Sequence, residues 1–150
     1  MASKRKLTSR HYAFESFNSI GKGYKFTKIC DDMMNSKAWK QLSMRQRGLY
    51  LELKKGFVTK NGGETHNQDE LYIYYKNYKR EYGSKNTLFN DVDALIENGF
   101  IRVIHNGKTA RLPNIYGFWD MWKKYGNDDF FIHPSHKRWT KENSYNSDDN

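Results

Sequence analysis

Ser84, Lys85, Asn86, Thr87 and Asn90 bring two hydroxyls, an ammonium and two carboxamides into one short stretch of the chain. None of these groups is arranged to break a bond. Their chemistry is recognition: carboxamides match the hydrogen-bonding edges of planar heterocycles, and ammonium and hydroxyl groups bind anionic oxygens. A second set, Arg102, Lys108 and Arg111, surrounds an Asn106-Gly107 pair, and a third, Lys4, Arg5, Lys6 and Arg10, crowds the start of the chain. All three sets suit a polyanionic partner.

The balance of charge agrees. Lys and Arg number 26 against 17 Asp and Glu in 150 residues, a formal net charge of +9, with a pI near 9.5. Residues 1–28 hold seven bases and one acid, residues 29–126 sixteen and eleven, and residues 127–150 three and five. The excess is therefore densest at the front, which favours nucleic acid or an anionic surface over a neutral ligand. This length suits one domain with a real core. Residues 1–20 are expected to form a flexible basic arm, 21–126 the domain, and 127–150 a largely disordered tail. A single cysteine, Cys30, excludes both a disulfide framework and a four-cysteine zinc site, and points to a reducing, cytoplasmic setting. No apolar run approaches a membrane span or a secretion signal, so no membrane insertion is expected.

Several elements must position these groups. "YKFTKI" at 24–29 alternates as a short strand, and "DDMMNSKAWKQL" suggests helical turns with Met34, Ala38 and Trp39 inward. Ser43 and Gln46 form a capping box ahead of a first helix, whose Leu49, Leu53 and Phe57 share one face and whose end is expected at Lys55 or Gly56. Asn67 and Glu70 open a second helix, in which Leu71, Tyr74, Tyr75, Tyr78 and Tyr82 recur at intervals of three and four. That tyrosine stripe reads as core ahead of a base-stacking platform. Lys76, Lys79 and Arg80 suit the helix dipole there as well as they suit a phosphate.

Ser84 or Asn86 caps the third helix, Leu88, Val92, Leu95 and Ile96 form its buried stripe, and Gly99 ends it. Asn86, Thr87, Asn90, Asp93 and Glu97 look away from that stripe. Asp91, Asp93 and Glu97 leave the helix net negative, so contacts are expected at its N-terminal end, Lys85 to Asn90. A strand from Phe100 to Ile104 follows, and Asn106-Gly107 is a strong two-residue hairpin signal. That turn would set Val103 against Ala110, Ile101 against Leu112, and Arg102 against Arg111.

Three helices followed by a β-ribbon describe an α+β winged helix-turn-helix: a three-helix core, a hairpin wing and a basic N-terminal arm. The stretches "YKFTKICDDMMNSKAWKQLSMRQRGLYLEL" and "GSKNTLFNDVDALIENGFIRVIHNGKTARLPNIYGF" resemble the winged-helix DNA-binding proteins of plasmids, integrative elements and phages, including the N-terminal domains of plasmid replication initiators. Carrying the likeness are Ser36, Ala38, Trp39, Leu42 and Ser43, then Leu49-Tyr50, Ser84-Lys85-Asn86-Thr87 and Gly99-Phe100-Ile101. It extends over roughly residues 24–119. A Tyr-rich second helix departs from the acidic or alanine-rich pattern usual there.

The resemblance implies sequence-specific binding of double-stranded DNA in replication initiation, conjugative transfer or transcriptional control. The helix residues Ser84 to Asn90 would read bases, Arg102, Lys108 and Arg111 would hold phosphates, and Lys4, Arg5, Lys6 and Arg10 would add backbone or minor-groove contacts. No enzymatic motif emerges and no cofactor is implied. "NGKT" at 106–109 lacks the leading glycine of a phosphate-binding loop, Arg102 standing in its place. His133 and His136 are spaced for a metal on a helix, yet Pro134 opposes that helix. Cys30 reads as a small buried hydrophobe. Two alternatives stay open. One is a protein-interaction module docking replication or transfer proteins or pairing as a homodimer, favoured by the acidic helix and by the aromatic stretch "NIYGFWDMWKKYG" with the tail "FFIHPSHKRW". The other is binding to structured RNA.

Overall fold

A computed structural model describes residues 27–59 and 70–138. The N-terminal arm with Lys4, Arg5, Lys6 and Arg10, the connector at 60–69 and residues 139–150 lie outside the described residues. The architecture is α+β, with four α-helices and a two-stranded antiparallel sheet among the described residues. It is compatible with a winged-helix layout.

Two short helices come first, α1 (Asp31–Asn35) and α2 (Lys37–Gln41). Ser36 makes the break between them: its hydroxyl donates to the Met33 carbonyl at 2.7 Å and accepts from the Trp39 N–H at 3.1 Å. Ending one helix and capping the next resets the helical phase. Met33, Ala38 and Trp39 are therefore buried, whereas Met34, expected inside, is exposed. Residues 27–29 form no strand; the described pairings run between 101–105 and 115–118 and between Leu71 and Tyr116. Cys30, also expected inside, is exposed at the entry to α1.

The capping box before α3 (Met44–Thr59) forms in both directions. The Ser43 N–H donates to Gln46 Oε1 at 2.8 Å, and the Gln46 N–H to Ser43 Oγ at 3.3 Å. Helix α3 continues past Lys55 to Thr59, since one glycine weakens a helix without stopping it. Leu49, Tyr50 and Leu53 point inward. Around Tyr50 stand the rings of Trp39, Phe100 and Phe118, edge-on at 5.4 to 5.7 Å. Such pairs add to simple area burial, and burial pushes the Tyr50 phenol up to about 12.

Over the described residues 70–82 the expected second helix does not form, and its expected cap Asn67 lies outside them. Residues 70–74 are extended, Leu71 exchanges both backbone hydrogen bonds with Tyr116 at 2.7 and 2.9 Å, and a 3-10 turn at Tyr75–Asn77 leads to Tyr82. Alternation at two residues overrides the three-and-four spacing: Leu71 and Ile73 are buried, while Tyr72 and Tyr74 are exposed. β-Branched and aromatic side chains fit this pleated arrangement better than a helix.

Helix α4 (Lys85–Glu97) matches its expected pattern. Ser84 caps it by accepting the Thr87 N–H at 3.1 Å, and Leu88, Val92, Leu95 and Ile96 are at most 1% exposed. Gly99 ends it at φ +80°, where an added Cβ would lie 2.6 Å from the Trp122 nitrogen. Asp91 shares the inward face at 2% exposure. Its carboxylate accepts Arg45 Nε and Nη2 at 2.5 and 3.1 Å, Gln46 Nε2 at 3.2 Å and the Tyr82 hydroxyl at 2.8 Å.

Strand β1 (Ile101–His105) pairs with β2 (Ile115–Phe118), setting Arg102 against Gly117 and Val103 against Tyr116. The hairpin loop thus spans 106–114 in place of the two-residue turn, and Arg102 does not face Arg111. Pairing with "IYGF" buries Tyr116 at 2% exposure, whereas Leu112 is 59% exposed; Pro113 also has no N–H for a ladder. The Asn114 side chain closes the loop by accepting the Gly107 N–H at 3.0 Å.

Removing the buried carboxylate in Asp91→Ala should cost about 2–3 kcal/mol, seen as a lower urea midpoint at unchanged slope. Burial raises the Asp91 pKa, but hydrogen bonds from Arg45, Tyr82 and Gln46 outweigh it and hold the carboxyl below 3.8. A depressed folded pKa gives stability that is complete above 3.8 and lost as pH falls through the folded value. In acid titrations monitored by circular dichroism, Asp91→Asn should lose that part of the pH dependence.

Candidate nucleic-acid interface

Helix α4 turns its apolar stripe and Asp91 inward, held in rotation by the Asp91 hydrogen bonds, so that Lys85, Asn86 and Asn90 are exposed together. The two carboxamides stand one helical turn apart and make no hydrogen bond among the described residues. Ser84 and Thr87 are committed elsewhere: besides the backbone cap, their hydroxyls are bonded at 2.8 Å, and Thr87 is half-buried. Lys85, Asn86 and Asn90 are thus the expected helix residues that are exposed and outside the cap. They line a groove of about 800 Å³ whose lining also includes Tyr74 and Tyr75, Pro113 and Asn114 of the hairpin loop, and Asp93 and Arg138.

The hairpin cations are not gathered on one face. Arg102 is half-buried within β1, its guanidinium 5.7 Å over the Trp119 ring. Lys108 and Arg111 are exposed in the loop, where Asn106 Oδ1 accepts the Lys108 N–H at 3.0 Å and Arg111 takes φ +54°. Two of the three expected cations thus lie in the loop and the third in the strand.

Residues 127–138 pack on the domain, although the tail was expected to begin at 127. A 3-10 turn at Pro134–His136 lies against β1, and His136 meets Trp119 edge-on at 5.0 Å. The His133–His136 spacing falls in that turn, where His133 Nδ1 bonds Ser135. Arg138 then crosses α4. It donates to both oxygens of Asp93 at 2.7 and 2.8 Å and to the Phe89 carbonyl at 3.3 Å, with its guanidinium 4.7 Å above the Phe89 ring.

This changes the electrostatics of the helix. Formally it carries Lys85 against Asp91, Asp93 and Glu97. Asp91 faces inward on Arg45 and Asp93 is matched by Arg138, so the two acids nearest Asn86 and Asn90 are each neutralised by an arginine. Neither pairing shows in the sequence, since the partners stand 46 and 45 residues apart. Tyr74 was also misplaced, its exposure following from the period of two in "LYIY".

No family model, no curated protein and no solved structure matches the chain.

Burial, and after it Arg102 and His133, push the His136 imidazole below 6.5. The unfolded or undocked segment therefore binds a proton more readily, and docking weakens as pH falls through 6.5 towards the folded pKa. Trp119 emission should change across that window, and both His136→Gln and Trp119→Phe should abolish the step.

Proposed function

We propose that this protein is a winged-helix binder of double-stranded DNA, with α4 as the recognition helix and the β1–β2 hairpin as the wing. One observation carries the reading. A capped helix, fixed by its buried face, presents Lys85, Asn86 and Asn90 outward beside a hairpin loop bearing Lys108 and Arg111, in a chain of net charge +9. Carboxamides on such a helix match the N6 and N7 positions of adenine in the major groove, and exposed loop cations neutralise phosphates. The likeness to proteins of plasmids, integrative elements and phages supports a specific site on a mobile element, bound in replication, transfer or transcriptional control.

Part of what favours the protein-interaction alternative is internal to the fold, while Glu97 and Phe131 stay exposed. Asp91 is internal and Asp93 is neutralised, while Tyr116 and Trp122 of the aromatic stretch belong to the core. No corresponding observation favours structured RNA.

The test is a salt series of binding to candidate-site and unrelated duplexes of equal length. Asn86→Ala/Asn90→Ala should abolish the preference for the site and leave weak binding. Lys108→Ala/Arg111→Ala should weaken binding to every sequence and flatten the slope of log K against log salt by about 1 to 2. Equal weak binding to all duplexes, unchanged in both variants, would overturn the reading, and tighter binding to duplex RNA would replace DNA as the target.

A further inference from the structure

The first turns of α4 border a groove that continues beyond the helix face to the extended tyrosine segment and the hairpin loop. Tyr74 and Tyr75 line it together with the loop residue Asn114, which the antiparallel bridge between Leu71 and Tyr116 brings alongside them, and Phe89 of α4 is also in the lining. Its volume of about 800 Å³ falls among sites for small flat ligands, roughly 300–1,000 Å³. Asn86 and Asn90 line it with Lys85, and the Arg138–Asp93 ion pair lies at the same site. Aromatic faces, carboxamides and the Lys85 ammonium together match the three parts of a nucleotide: base plane, base edge and phosphate.

A second observation lies at the rim. Tyr72 and Tyr74 are exposed at 37% and 39% and stack with planes 2° apart and centroids 6.1 Å apart. Lys76 places its ammonium 5.5 Å over the Tyr74 ring. Neither ring contributes to the core, and an exposed parallel pair with a cation beside it offers a surface on which further planar rings stack. Paired bases inside a duplex have both faces covered by their neighbours and cannot use it. An unpaired base can.

We propose that the groove and the Tyr72–Tyr74 pair take the unpaired nucleotides of a DNA strand that continues beyond the bound duplex. This rests on the duplex-binding reading and extends it to junctions between double and single strand. The experiment compares the full chain on a blunt duplex and on the same duplex carrying a short 5′ or 3′ single-stranded extension. One of the extended duplexes should bind about tenfold more tightly, as expected where bases stack on aromatic side chains. Tyr72→Ala, which alters the stacked pair outside the groove lining, should remove that gain while leaving blunt-duplex affinity unchanged, and Tyr72→Phe, which keeps the ring, should retain it. An extension that adds nothing, or a gain that survives Tyr72→Ala/Tyr74→Ala, would overturn the proposal while the duplex reading stands. Displacement of the extended strand by an equal concentration of free deoxynucleoside monophosphate would also overturn it, assigning the groove to a small molecule. If neither duplex binds, both readings fall together.

Discussion

The direction in which α4 faces depends on one buried carboxylate. Asp91 gathers donors from the start of α3 and from the end of the tyrosine segment, so a single group ties three parts of the chain at a point where they meet. Leaving such a charge dehydrated would cost several kcal/mol. Four hydrogen bonds offset that cost, and Arg45 keeps its side chain 54% exposed, so only one partner gives up most of its water. Apolar stripes tolerate small rotations because dispersion is not directional, whereas a carboxylate with two occupied oxygens does not. The Asp91 network therefore sets the rotation of α4, and with it which side chains look outward.

What those outward side chains meet is decided by the end of the described chain. By crossing α4 at Phe89 and Asp93, Arg138 removes an acidic patch from the helix and becomes a wall of the groove. The backbone carbonyl of the same residue accepts from Asn106 Nδ2 at 3.4 Å, so the segment also touches the hairpin. His136 against Trp119 holds the strand side of this crossing. Helix, hairpin and C-terminal segment consequently act as one surface.

The parts of the fold that were readable are those held by neighbours in sequence. Ser43 with Gln46, Ser84 with Thr87, the stripe from Leu88 to Ile96 and the left-handed Gly99 all operate within about one helical turn. Residues 71–82 were ambiguous because "LYIYYKNYKREY" contains two periods at once. The bridge from Leu71 to Tyr116 chooses between them, and it joins residues far apart in the chain. Asn106-Gly107 misled for a related reason. A tight turn there was locally favourable, but the register that buries Tyr116 and pairs Ile101 with Phe118 gains more apolar contact than one ending on Ala110 and Leu112.

The sequence by itself determined the net charge, the capped helix α4 with its carboxamides, and the positions of its buried stripe, because composition and short-range capping need no knowledge of the rest of the chain. Only the tertiary structure decided that Asp91 and Asp93 are neutralised, that Arg102 is half-buried while Lys108 and Arg111 stay outside, and that Tyr74 joins Asn86 and Asn90 around a groove. Those outcomes depend on which distant groups desolvate one another. Burial and long-range ion pairing are properties of the packed chain, and no local pattern encodes them.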